Sequence, residues 1–140
     1  MQRRTVRRIW TVPSLYLFIL LYCILLVTLA CGCSNNQKGN QKYIDEGIAQ
    51  YNNQKYDLAI INFDLYLSED NTSIDAARAY AWQGVSYEEL GNFNRALQCL
   101  DNATRIKQDE PTIWRAKERV FLEMGRNEEA AFAGRKAARL

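Results

Sequence analysis

With 140 residues, the chain has room for one modest folded unit at most. Its formal charge of +2 comes from Arg3, Arg4, Arg7 and Arg8; from Ser34 onward 14 basic residues face 16 acidic ones, so nucleic acid is excluded as a partner on electrostatic grounds. There is no histidine, and of the four cysteines only Cys99 lies beyond residue 33, which excludes zinc sites of the usual spacing, Cys/His nucleophile pairs and an internal disulfide framework.

The first predicted element is an address. No charged residue occurs between Ile9 and Gln37, and Leu15–Ala30 is almost wholly apolar behind the arginine cluster, the pattern of an export signal. The basic end stays on the cytoplasmic side and the downstream chain is carried across. The segment ends Leu29-Ala30-Cys31-Gly32-Cys33-Ser34, which resembles the bacterial lipobox. That resemblance implies residues 1–33 as a lipoprotein signal peptide, with Cys33 acylated (palmitate among its chains) and becoming the new N-terminus. Cys31, preceded by Ala30, also satisfies the pattern. If Cys33 is the site, Ser34 rather than Asp follows it, which under the sorting rule of Gram-negative lipoproteins implies the outer membrane, facing the periplasm. The same stretch is near the roughly 20 residues a spanning helix needs, so an uncleaved inner-membrane anchor is the alternative. Residues 34–39 (SNNQKG) show no apolar periodicity and read as a short polar tether.

From residue 40 the chain repeats itself. Counted from Ala77, the residues Tyr80, Gly84, Tyr87, Gly91, Phe93, Ala96, Leu100 and Ala103 occupy places 4, 8, 11, 15, 17, 20, 24 and 27 of a 34-residue period. From Asn40 the same frame gives Tyr43, Gly47, Tyr56, Ala59, Phe63 and Tyr66 at places 4, 8, 17, 20, 24 and 27. From Pro111 it gives Trp114, Phe121, Gly125, Ala130 and Ala137 at places 4, 11, 15, 20 and 27, with Glu118 and Gly134 departing at 8 and 24. This pattern resembles the tetratricopeptide repeat (TPR). It implies an all-α fold of three helical hairpins, about 40–73, 77–110 and 111–140, stacked as a short right-handed superhelix after the N-terminal signal or anchor helix.

Packing explains the spacing. Place 8 needs a small residue because the two helices of a hairpin come closest there, against places 20 and 27, while places 4, 11 and 24 fill the remaining space. Gly91 and Gly125 suit left-handed helix caps, and Pro111 suits a first turn. Three residues in excess of the period fall at Asn71–Ala76 and predict a longer loop.

The resemblance implies a concave wall built from the first helix of each hairpin. Its candidates are Ile44, Ile48, Tyr51 and Asn52, then Arg78, Val85, Glu88 and Glu89, then Arg115, Arg119, Leu122 and Glu123. They predict a protein or peptide partner with an apolar end and an acidic end. The carboxylate clamp of chaperone-binding repeats lacks its Asn at place 9 in every frame. Paired carboxylates such as Glu88 and Glu89 have no base, nucleophile or phosphate loop beside them, so an enzyme and a cofactor are not expected. Residues 34–110 carry 7 basic and 12 acidic groups and residues 111–140 carry 7 and 4, poles that favour head-to-tail self-association through the uncapped C-terminal repeat. The expected role is an adaptor or scaffold in the bacterial cell envelope, or alternatively a pilot-like assembly factor.

Overall fold

A computed structural model describes Ile19, Tyr22 and residues 34–140 of the chain. Cys31, Cys33 and most of the apolar segment, including the signal peptide boundary, therefore lie outside the described residues. Among the described residues no helix is long and apolar enough to cross a membrane. The folded unit runs from Gly39 to Leu140.

Its helices are α1 (Ser34–Asn52), α2 (Tyr56–Glu69), α3 (Ile74–Glu89), α4 (Phe93–Ile106), α5 (Pro111–Glu123) and α6 (Asn127–Ala138). They pair as hairpins: α1 meets α2 where Gly47 approaches Phe63, α3 packs on α4 and α5 on α6, while α2 packs on α3, α4 on α5, and α3 lies beside α5. Residues 34–39, expected as an irregular tether, are helical and continuous with α1. A helix already nucleated by packing extends at one hydrogen bond per residue, and nothing in SNNQK stops it.

The excess residues at 71–76 do not make a longer loop. Asp70–Ser73 and Lys107–Glu110 are turns of the same length, and the additional residues lengthen α3, which has 16 residues where α5 has 13. Ser73 Oγ accepts from the Ala76 amide at 3.1 Å and so starts the helix one turn earlier. Asp70 fixes this turn by accepting from the amides of Thr72 and Ser73, both at 3.1 Å. The Ser73 side chain first, and then the Thr72 amide, hold the Asp70 carboxyl below its usual range by hydrogen bonding.

Each first helix ends the same way, with the place-15 residue in the left-handed region. Gly91 (φ 72°) and Gly125 (φ 71°) do this without a Cβ; in the first hairpin the residue is Gln54 (φ 60°). The bonds Asn92 N–H to Tyr87 O and Arg126 N–H to Phe121 O (2.8 Å each), and Lys55 N–H to Gln50 O (2.9 Å), close the three caps alike.

At the helix crossings, the place-8 glycines meet the place-24 side chain first, and Gly84 also meets the backbone of place 20, as expected from spacing. A Cβ on Gly47 would lie 2.5–2.9 Å from the Phe63 ring, and one on Gly84 would lie 2.8 Å from Leu100 Cγ and 3.1 Å from the Ala96 carbonyl. In the third hairpin the sizes are exchanged. Glu118 supplies the bulk at place 8, and Gly134 leaves the space for it at place 24, where a Cβ would lie 2.9 Å from Glu118 Cδ.

Ile44, Ala59, Phe63, Tyr66 and Ala79 form one core cluster; Ala96, Leu100, Ala103, Ile113 and Val120 form the other, and half-buried Tyr80 packs on both. Full burial of Ile44, Phe63, Leu100 and Val120 contributes about 1.5–3 kcal/mol each.

Neighbouring hairpins are also latched by one polar bond in a repeated position. Gln83 Nε2 donates to Asp64 Oδ1 at 2.6 Å, and Lys117 Nζ donates to Asp101 Oδ1 at 2.6 Å. In both bonds place 7 of one hairpin reaches place 25 of the hairpin before it. Gln83 also accepts from the buried Cys99 thiol at 3.2 Å, and burial pushes that thiol up to about 12.

A candidate protein-binding groove

The first helices face a groove of about 730 Å³. Ala81, Trp82 and Val85 of α3 and Ile113 and Ala116 of α5 form its apolar lining. These residues recur at spacings of three and four, which places them on one side of each helix. Ile74 and Asp75, on the added turn of α3, lengthen the lining at one end, and Tyr51 of α1 closes the other.

Tyr51 is held from two directions. Its ring meets Trp82 edge-on at 5.1 Å between centroids and Tyr56 at 5.4 Å, and its hydroxyl donates to Glu89 Oε1 at 3.2 Å. Burial first, and then the charge of Glu89, push the phenol up to about 12, so it remains a neutral donor at any physiological pH. Arg119 makes a two-pronged bond with Glu88, Nε to Oε1 at 3.0 Å and Nη2 to Oε2 at 2.8 Å. That bond, above all, raises the guanidinium pKa.

The remaining cations of the lining have acidic neighbours too. Lys107 bonds Glu110 at 2.7 Å, and Arg78 lies 4.0 Å from Asp45. The groove thus has an apolar centre and a rim of matched charges, which suits an apolar side chain carried on a polar backbone.

Of the wall candidates, Tyr51, Arg78, Val85 and Arg119 line this groove. Glu88 and Glu89 stand behind it as the partners of Arg119 and Tyr51. Ile48 is half-buried against the core, and Asn52, Arg115, Leu122 and Glu123 are exposed outside the lining. Ile44 is fully buried, not on the wall. Ala76, on the added turn of α3, belongs to the cluster that covers it, which the expected loop would not have done. The expected arginine-rich end is also corrected, because Arg119 is neutralised by Glu88 and Arg115 does not reach the groove.

Sequence reasoning missed Trp82, Ile113 and Ala116. Their signal was the helical period itself, since Trp82 and Ala116 both occupy place 6 of their frames. Among the described residues no group of three or more His, Cys, Asp or Glu side chains is arranged to hold a metal ion.

No protein-family model matches the sequence, and no curated protein matches it. Solved structures do match. A point mutant of MamA superposes with a TM-score of 0.65 at 24% identity, over 77% of this chain and 74% of that one. The second TPR domain of Spaghetti (RPAP3), bound to an HSP90 peptide, gives 0.70 at 16% identity over 75% of this chain and 94% of that one. The Arabidopsis OM64 TPR domain gives 0.68 at 20% identity over 74% and 83%. The fold of this chain, three stacked helical hairpins without a strand among the described residues, is therefore that of tetratricopeptide domains.

Proposed function

We propose that the chain is a membrane-held protein-interaction module that takes an apolar segment of its partner into the groove between α3 and α5. The observation that carries this reading is the lining itself: half-buried Trp82 and Val85, with the buried Ile113 and Ala116 beside them, make an apolar concave surface between α3 and α5. The similar Spaghetti domain is bound to a peptide, which supports a peptide as the class of ligand. The matched rim charges favour a neutral or mixed segment over the acidic-ended one that the sequence suggested.

We read the role as non-catalytic, in keeping with a fold that resembles TPR interaction domains. We read the N-terminal segment as a lipoprotein signal with Cys33, or Cys31, as the acyl site, and the protein as an adaptor or scaffold of the bacterial cell envelope. Two measurements test this. A photo-crosslinking side chain at Val85 of the full chain in its membrane is expected to trap a partner through an apolar stretch, whereas one at exposed Gln98 on α4 is not. Equal yields from the two positions, or trapping of lipid alone, would remove the groove from the account. Intact mass of the membrane-extracted protein is expected to show an acylated chain beginning at Cys33 or Cys31; a chain retaining Met1 or Gln2 would mean an uncleaved anchor.

A further inference from the structure

Among the described residues the repeated latch between hairpins has two unfilled halves. Within the array, place 7 of a first helix donates to an aspartate at place 25 of the preceding second helix, as Gln83 does to Asp64 and Lys117 to Asp101. At the C-terminal end place 25 is Arg135, exposed on α6, and at the N-terminal end place 7 is Glu46, exposed on α1. The two ends therefore carry the same latch with its charges reversed.

The surroundings of both residues fit a helix-on-helix seat. On α4, Leu97 and Thr104 are buried in the junction with α5; the equivalent places on α6 are Ala131 and Ala138, both exposed. On α5 and α3 the buried residues Val120 and Ser86 share a place with Ala49 of α1, which is exposed. Small residues on both faces permit close approach of the two backbones. Among the described residues Glu46 pairs with Lys42, at 3.4 Å, and both side chains of that pair are exposed, so Glu46 exchanges partners readily.

We propose that a second copy of this chain seats its α1 on α6, with Glu46 pairing to Arg135, as though it were the fourth hairpin of the array. The contact is head-to-tail and leaves one free end of each kind, so it propagates into short chains. The apolar area offered is small, so each contact is weak in solution. Confinement to a membrane surface raises the effective concentration that drives it.

Charge reversal tests this in the full chain, in a density-matched neutral detergent, by sedimentation equilibrium up to about 1 mM. The wild-type chain is expected to associate with concentration and to dissociate as salt is raised. Glu46→Arg alone and Arg135→Glu alone are each expected to weaken association at least tenfold. An equimolar mixture of those two variants is expected to associate like wild type, because every unlike contact again pairs opposite charges. Circular dichroism of each variant checks that the helices are intact. A wild-type chain that stays monomeric, association untouched by either reversal, or a mixture that fails to recover would each overturn the proposal.

Discussion

The second and third hairpins cross their helices at the same places with opposite distributions of bulk. In the second, Gly84 yields to a fully buried Leu100; in the third, Gly134 yields to Glu118. What the crossing fixes is the summed size of the two side chains at places 8 and 24, not which helix carries it. The exchange is not symmetrical in consequence. Leu100 is an apolar group locked in the core, whereas Glu118 is flexible and half-buried. The third hairpin is thus built on the same backbone plan with a softer joint, at the end of the array.

The largest effects are expected where the joint is hard. Gly84→Ala would drive a methyl group against Leu100 and the Ala96 carbonyl, and Gly47→Ala would drive one against the Phe63 ring. Neither buried side chain has room to turn away, and about 1–3 kcal/mol of stability should be lost in each case. Urea unfolding of the full chain followed by far-ultraviolet circular dichroism reads this directly. A change below about 0.3 kcal/mol at Gly84 would mean that the hairpin shifts as a body and that the comparison with the third hairpin fails.

Next come the caps. Gly91→Ala puts a Cβ on a residue at φ 72° and should cost about 1 kcal/mol. Gln54→Gly relieves the same strain in the first hairpin and should stabilise by about 0.5–1 kcal/mol, seen as a higher urea midpoint with an unchanged slope. Opposite signs at equivalent places would show that place 15 is used alike in the hairpins whatever residue stands there.

The turn that begins α3 gives a pH dependence. Asp70 has its carboxyl lowered from 3.8 in the folded chain by Ser73 and Thr72. Its contribution is therefore present above that unfolded value and is lost as pH falls through the lower folded one. Asp70→Asn should melt lower than the wild-type chain at neutral pH, with the gap narrowing below about pH 4. A constant gap between pH 7 and 3 would detach the turn from the ionised carboxylate.

The repeat was legible in the sequence because its signals are steric and local: alanine at place 20 in all three frames, an aromatic at place 4, glycine caps at Gly91 and Gly125. Ile44 was misread for a reason outside its own helix. It is buried in a cluster drawn from α2 and α3, among them Ala59, Phe63, Tyr66, Ala76 and Ala79, and counting places along its own helix does not show how those helices close over it. Gln54 in a left-handed conformation was hidden because glutamine carries no turn preference. The latches escaped because they join Gln to Asp in one case and Lys to Asp in the other, a match of geometry and not of residue type. The groove was half legible, since wall places can be counted, while pairing such as Arg119 with Glu88 requires the register of two helices in space.

The smallest expected effect completes the comparison. Gly134→Ala adds the same methyl group as Gly84→Ala at the corresponding crossing, but what it meets is the carboxylate end of Glu118. That end can rotate towards solvent. Replacing a helical glycine by alanine also favours the helix by up to about 1 kcal/mol, since alanine has less backbone freedom to lose on folding. The two terms nearly cancel, so the unfolding free energy from urea titration should stay within about 0.5 kcal/mol of wild type, on either side. A loss as large as that of Gly84→Ala would show Glu118 to be held as rigidly as Leu100, and the joint of the third hairpin would then be no softer than that of the second.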